Sequence, residues 1–388
     1  MIALQVIFWF CVLAVFHSYV LYPLLLRILS SKKRAEAKYS NQTQPFVSIL
    51  MSAYNEEDII EQKVQSVFNT HYPADRIEFW IGSDCSSDNT NSILQIMASK
   101  DPRIHFRTFS TRQGKAMIIN QLADYANGDI LILTDANVLF TPETIPELIK
   151  PMTDNKIGLV DSNMVNTNLK KEGISMQEKS YISREVAIKN MESNLWGTMM
   201  GPFGGCYGLR KELFVPVPSN LLVDDFFICM HVLRQKYKAV NNIEAVVYED
   251  VSNDLGIEFR RKIRIATGDF QNLRIFAGLL FSGTKGLAFS FLSHKVLRWL
   301  GPFFLIIALT CLTVLAFFNT FYLVLACLYA FSFIIPLIDL FFKQNGIHNT
   351  YLRFITHFYA MNLALFIGFF KAIIGVKNNV WKPTKRFQ

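Results

Sequence analysis

Two stretches without a single Asp, Glu, Lys or Arg bracket this chain: residues 2–26 and the 40-residue run 299–338. A helix crosses the hydrocarbon core of a bilayer with about 20 apolar residues. The first stretch therefore spells one crossing, and the second spells two with a break near Asn319-Thr320. The first is expected to persist as an anchor, because no basic region precedes it and no small-residue cleavage site follows it. Lys32, Lys33, Arg34 and Lys38 come immediately after it, which places the central part of the chain in the cytosol and the N-terminus outside. A weaker segment, 354–374, contains Asn362 and Lys371. If it spans, the tail with Lys377, Lys382, Lys385 and Arg386 lies outside, against the bias of short basic segments. If it lies along the interface the tail is cytosolic, which is the arrangement expected here.

Between these runs lie about 230 residues of ordinary globular character, long enough for one large domain with its own core. The averages, 51% hydrophobic and 18% charged, hide these two regimes. The net charge of +8 is accounted for by the membrane flanks and does not point to nucleic acid. Six cysteines stand at 11, 85, 206, 229, 311 and 327 without a CxxC pair. That spacing indicates neither zinc nor a disulfide framework, and it suits a reducing compartment. The expected organisation is an N-terminal transmembrane helix at 1–29, a globular domain at 46–276, interfacial helices at 277–298, a membrane region of two or three helices at 299–376 and a basic tail at 377–388.

Within the domain, strand and helix patterns alternate. Residues 46–53, 77–81 and 130–133 read as strands. Residues 57–68, 91–98 and 113–125 read as helices, with apolar side chains recurring on one face. This order predicts an α/β fold with a mostly parallel, Rossmann-like sheet covered by helices on both sides. Ligands of such sheets bind beyond the carboxyl ends of the strands. Asn55-Glu56, the segment from Asp84 to Asp88 and the segment from Asp135 to Asn137 follow three strands, so all should converge on one crevice. Neither a GxxxxGK[ST] loop nor a GxGxxG after the first strand is present, which excludes a P-loop NTPase and a typical dinucleotide dehydrogenase. Carboxylates at strand ends can instead hold a divalent cation that neutralises a diphosphate. Asp88, followed by Asn89, Thr90 and a helix, reads as an N-cap.

Six segments in order, VSILMSAYNE (47–56), GSDCSSDNT (82–90), QGKA (113–116) with Asn120, GDILILTDAN (128–137), VDD (223–225) and RRKIRI (260–265), resemble membrane-bound glycosyltransferase family 2. These are inverting enzymes of GT-A fold that include cellulose and hyaluronan synthases. The resemblance implies that Ala53, Tyr54 and Glu56 line the nucleotide pocket, that Asp84 reads the uracil edge and that Lys115 contacts nucleotide or phosphate. It implies that Asp135 and Asn137 stand at the Asp-x-Asp position and hold Mg2+ or Mn2+. Asp225 falls at the general base. Arg261 and Arg264 fall where the family has Gln-x-x-Arg-Trp, with Arg261 toward the donor and Arg264 at the leaving group. Asn137 for the second acid, Cys85, Arg261 and Ile265 depart from the pattern.

The implied activity is metal-dependent transfer of a sugar from a UDP-sugar to a membrane-associated glycan or lipid-linked acceptor, among membrane lipid. The implied location is the plasma (inner) membrane of a bacterium, with the catalytic domain cytosolic. The alternatives are a processive synthase that also secretes its polymer, weakened by Ile265 in place of Trp, and a non-catalytic membrane scaffold.

Overall fold

The computed structural model describes residues 1–31, 44–167, 175–250, 255–347, 349–377 and 379–380. The basic run after the first helix and the Trp381–Arg386 tail segment lie outside the described residues. The chain opens with α1 (Ile2–Ser31), a long apolar helix with one π turn at His17–Leu21. The domain then builds four parallel strands, β1 (Val47–Ala53), β2 (Ile77–Asp84), β3 (Ile104–Phe109) and β4 (Ile130–Thr134). Val47 pairs with both Ile77 and Ile130, so β1 is central in this half. All five residues of β4 are buried, as expected for a parallel strand covered on both faces.

The covering helices are α2 (Ile60–Phe68), α3 (Thr90–Lys100) and α4 (Lys115–Tyr125). Ile49 and Met51 face Ile60, Val64, Val67 and Leu94 of α2 and α3. Leu50, Leu131 and Leu133 face Ala116, Ile119 and Leu122 of α4 on the other side. The inward-facing positions of α2 and α4 are those that the helical periodicity gives, and the fold divides them between two cores.

The other half of the sheet is mixed. β5 (Val138–Phe140), β6 (Ile157–Thr167), β7 (Cys206–Arg210) and β8 (Lys238–Asp250) complete eight strands in the order β3-β2-β1-β4-β7-β6-β8-β5. β7 runs antiparallel between β4 and β6, β6 is parallel to β8, and β5 is antiparallel to β8.

Three further helices of the domain border the crevice or its wall: α5 (Ser175–Trp196), α6 (Asp224–Arg234) and α7 (Leu255–Phe276). α5 is locked to the sheet by a buried ion pair, Lys189 Nζ to Asp161 Oδ2 at 2.6 Å, with the ammonium also over the Phe203 ring. Removing one partner of such a pair strands the other in a medium that cannot solvate it. Asp161→Ala is therefore expected to cost about 3–5 kcal/mol of stability. Thermal unfolding of the detergent-solubilised protein would show it, and an unchanged melting temperature would contradict it.

Toward the C-terminus follow α8 (Gly286–Trp299), α9 (Gly301–Ala316), α10 (Thr320–Gln344) and α11 (Thr350–Ile374). α8 and α9 meet at a 62° bend, with Pro302 in the first turn of α9, where a proline costs no hydrogen bond. α1, α10 and α11 are long and apolar enough to cross a membrane, and the bent pair adds a fourth if counted as one span.

α8 falls largely within the 277–298 segment expected to lie along the membrane interface, and its His294 and Arg298 are buried against the domain. His294 bridges Glu192 at 2.8 Å and Glu185 at 3.0 Å, Arg298 pairs with Glu185, and Tyr22 of α1 donates to Glu192 at 2.6 Å. Buried charge demands partners, and two carboxylates of α5 supply them. α11 packs on both α5 and α7: His357 meets Glu178 of α5 at 2.8 Å, while Phe369 packs edge-on to Phe270 of α7 and a Cβ on Gly368 would lie 2.5 Å from that of Ala266. From His357 to Gly368 is about 16 Å of helix, so α11 touches the domain over much of its length.

Candidate active site

The crevice beyond the carboxyl ends of β1, β2 and β4 opens into a cavity of about 1170 Å³. Of the residues singled out in the sequence, Tyr54, Glu56, Asp84, Lys115, Asp135, Asn137, Asp225, Arg261 and Arg264 line it. Ala53 does not; its side chain is buried in the sheet core.

Local chemistry explains how the strand-end loops hold shape. Asn55 adopts φ 54°, a conformation asparagine tolerates. Its side chain accepts from Ser87 N at 2.8 Å and ties the β1 loop to the β2 loop. The N-cap of α3 is Asn89 and not Asp88, which stands one residue earlier; the Asp88 carboxylate accepts from Thr90 N at 3.0 Å and from Glu57 N at 3.1 Å, tying the β1 loop to the start of α3. Asp84 is buried at 2% exposure and accepts three hydrogen bonds: Gln113 N at 2.7 Å, Gly114 N at 2.9 Å and Arg112 Nε at 3.1 Å. A carboxylate has about four lone-pair sites, so Asp84 spends most of its capacity holding the loop that delivers Lys115.

Sequence reasoning missed Arg112, whose guanidinium lies 3.3 Å over the Tyr54 ring. A cation stacked on an aromatic face beside a buried carboxylate makes a floor that no motif signalled. It also missed Asn379, whose side chain closes on Gly114 so tightly that a Cβ there would lie 1.9 Å from its Oδ1.

Lys115 Nζ bonds Asp135 Oδ1 at 2.6 Å and lies 3.9 Å from Asp224. Burial opposes its charge, but Asp135 and Asp224 outweigh it and raise the ammonium above its ordinary value. Asn137 donates to Glu249 Oε1 at 3.1 Å, which brings an unforeseen carboxylate beside the strand-end turn. Among the described residues no group of three or more His, Cys, Asp and Glu side chains gathers to hold a metal. Magnesium-type ions commonly take one or two carboxylates and complete their shell with substrate phosphates and water. Asp135, facing the cavity with Asn137 two residues on, fits that kind of site.

Asp225 sits in the first turn of α6 and accepts from Phe226 N at 2.7 Å. Burial and the neighbouring Asp224 push it up to about 7, against the pull of Lys115. A carboxyl with that affinity can take a proton at neutral pH. Arg264 donates to the carbonyl of Leu222 at 3.1 Å, and burial together with Arg261 lowers its pKa. Arg261 pairs with Glu258 at 3.4 Å.

Gly204 sets the clearance around Asp225. Its φ is +75°, and a Cβ would stand 2.5 Å from Asp225 Oδ2. Gly204→Ala therefore adds backbone strain of about 1–2 kcal/mol and displaces the carboxylate. A misplacement of that order can cost about a hundredfold in rate. Turnover should fall that far while the melting temperature moves only a few degrees; wild-type turnover would contradict the packing argument.

The sheet, its covering helices and the carboxylate-lined crevice at the strand ends make up a GT-A fold. Residues 48–215 match the family model for glycosyl transferase family 2. That stretch of the chain is a glycosyl transferase family 2 domain by this match. It is 26% identical over 294 residues to a beta-monoglucosyldiacylglycerol synthase of Trichormus variabilis, covering 74% of this chain and 62% of that protein. It is 24% identical over 250 residues to a poly-beta-1,6-N-acetyl-D-glucosamine synthase of Staphylococcus aureus, covering 61% of this chain and 60% of the relative. The chain thus spans about six tenths of the length of these relatives. Among solved structures, a mannosyltransferase from Pyrobaculum calidifontis in complex with GDP-Man and Mn2+ shares the fold, with TM-score 0.72 at 20% identity over 95% of this chain and 99% of that one.

Proposed function

We propose that the protein transfers a sugar, with inversion, from a nucleotide diphosphate sugar to an acceptor held at the membrane. The observation that carries this reading is the continuity of one cavity. Tyr54, Asp84, Lys115, Asp135 and Asp225 line it at the strand ends, and Tyr19, Phe354, Phe358 and Met361 of the apolar helices α1 and α11 line it too. A purely soluble acceptor would not need that wall.

In this reading Tyr54 and Arg112 receive the base, Lys115 and Arg264 face the diphosphate, and Asp225 takes the acceptor proton. A divalent cation at Asp135 and Asn137 would neutralise charge on the departing diphosphate. The preferred donor is a UDP-sugar, with Mg2+ or Mn2+. The structural neighbour holding GDP-Man makes GDP-mannose the control. The preferred location is a bacterial plasma membrane with the domain cytosolic. One or a few additions are favoured over a processive synthase, because Ile265 lines the cavity where a grip on a polymer would call for an aromatic.

Nucleotide release by purified protein with Mn2+, screened across UDP-sugars and GDP-mannose, tests the proposal. Release from none of them would leave only the scaffold reading. Product length on a gel separates single addition from polymer synthesis.

A further inference from the structure

The stretch of cavity wall between Asp225 and the apolar helices carries an excess of fixed positive charge. Arg184, Lys295 and Arg298 all line it. Lys295 at 3.2 Å and Arg298 share one carboxylate, Glu185, which also takes His294. Arg184, on the same helix as Glu185, makes no ion pair among the described residues, and burial together with the Arg298 guanidinium lowers its pKa. Asp269, the next carboxyl on this wall, is pushed up to about 7 by burial, against Lys295, with Asp225 adding to the rise. It therefore offsets only part of that charge at neutral pH.

Contacts set the order along the wall. Phe226, adjacent to Asp225, meets Trp299 edge-on at 5.4 Å. Arg298, the residue before Trp299, stands 5.3 Å over the ring of Tyr19 in α1. Tyr19, Phe358, Met361 and Leu365 then line the same cavity from α1 and α11. Base, cations and apolar wall follow one another in space. At about 1170 Å³ the cavity exceeds the usual range for a single small ligand, so it has room for a second substrate.

We infer that this wall is the acceptor subsite, and that it takes a lipid whose phosphate lies between the hydrocarbon and the hydroxyl that receives the sugar. Guanidinium groups match phosphate oxygens in geometry and charge. A neutral glycerolipid would place no anion opposite Arg184, which lines the cavity beside three cationic or basic groups that share Glu185. The step balances without a further reactant. The acceptor hydroxyl oxygen bonds to the anomeric carbon as the bond from that carbon to the diphosphate oxygen breaks. The electron pair departs with the diphosphate, the hydroxyl proton goes to Asp225, and the lipid phosphate is untouched.

This inference rests on the transferase reading above, and a matched pair of lipids tests it. Dioleoylphosphatidylglycerol offers hydroxyls beyond a phosphate, and dioleoylglycerol offers a hydroxyl alone. The donor is whichever nucleotide sugar gives the most nucleotide release. The phosphatidyl lipid should be glycosylated at least about tenfold faster, or should compete with acceptor-independent donor hydrolysis where the diacylglycerol does not. Arg184→Gln should raise its KM by about tenfold, more than it lowers kcat, as expected for one lost charge-assisted contact, and Arg184→Lys should recover part of the loss. Inorganic phosphate at millimolar concentration should compete weakly, which separates a phosphate contact from lipid surface binding. Equal use of the two lipids, or no effect of either on donor hydrolysis, or equal losses for both in Arg184→Gln, overturns the inference while leaving the transferase reading intact. Absence of nucleotide release from every donor sinks that reading instead. Native mass spectrometry then decides the lipid arm, with preferential retention of the phosphatidyl lipid supporting it and equal retention refuting it.

Discussion

Asp225→Asn is expected to lower kcat by about a thousandfold, the middle to upper part of the range that a positioned general base supplies. The amide keeps the shape that fits against Gly204 and can still accept from Phe226 N, so the α6 terminus should survive. It cannot accept the acceptor proton. Nucleotide affinity should change little, because Lys115 meets the donor side through Asp135, at 2.6 Å. The pH profile supplies a second reading with a definite sign. The active form is the carboxylate, and burial with Asp224 raises its pKa to about 7. Activity should therefore be full above that pH and fall about tenfold per unit as the pH drops below it. The variant should lack this limb. Retention of a tenth of wild-type turnover, or an unchanged acid limb in Asp225→Asn, would move the base elsewhere.

Asp135→Ala is expected to remove the metal dependence of donor binding. Asp135 is the carboxylate at the strand-end turn that faces the cavity with Asn137. Asn137 supplies an amide already donating to Glu249, which makes a poor substitute. In wild type, Mn2+ should tighten UDP binding by about a hundredfold, since a cation bridging a diphosphate is worth several kcal/mol. In the variant, titrations with Mn2+ and with chelator should coincide. Lys115 would also lose its 2.6 Å partner and keep Asp224 at 3.9 Å, so metal-free affinity should shift by less than tenfold. A persistent Mn2+ effect would place the ion on Glu249 or another acid of the wall.

Much of the nucleotide half was legible beforehand, and the reason is local. Parallel strands buried on both faces are short apolar runs, and the helices over them repeat apolar residues every three to four positions. Isolated β1, β2 and β4 with α2 to α4 can therefore be read one segment at a time. β3 escaped because Ile104–Phe109 includes His105 and Arg107 on an edge of the sheet. The second half escaped because β6 and β8 mix polar residues into their pattern, including buried Asp161 and Asn241. Their pairing partners, β7 and β5, are far away in sequence. The segments after β1, β2 and β4 were likewise readable as site material. Arg112, Glu249 and Asn379 were not, because each acts through a neighbour that only folding supplies: Tyr54, Asn137 and Gly114.

The sequence alone determined that apolar helices flank a parallel α/β domain, and that acids and a lysine lie at its strand ends. Those are consequences of hydrophobic run length and of period, which need no partner. Only the tertiary structure decided what the charged residues of α8 do. By composition Lys295 and Arg298 belong at a wet interface. Folding instead buries them against Glu185, from a helix more than a hundred positions earlier, because a charge taken from water must find its counter-charge wherever the chain brings one. The same packing draws the adjacent Asp224 and Asp225 into the cavity wall, where burial and their mutual repulsion give Asp225 a carboxyl that can hold a proton at neutral pH.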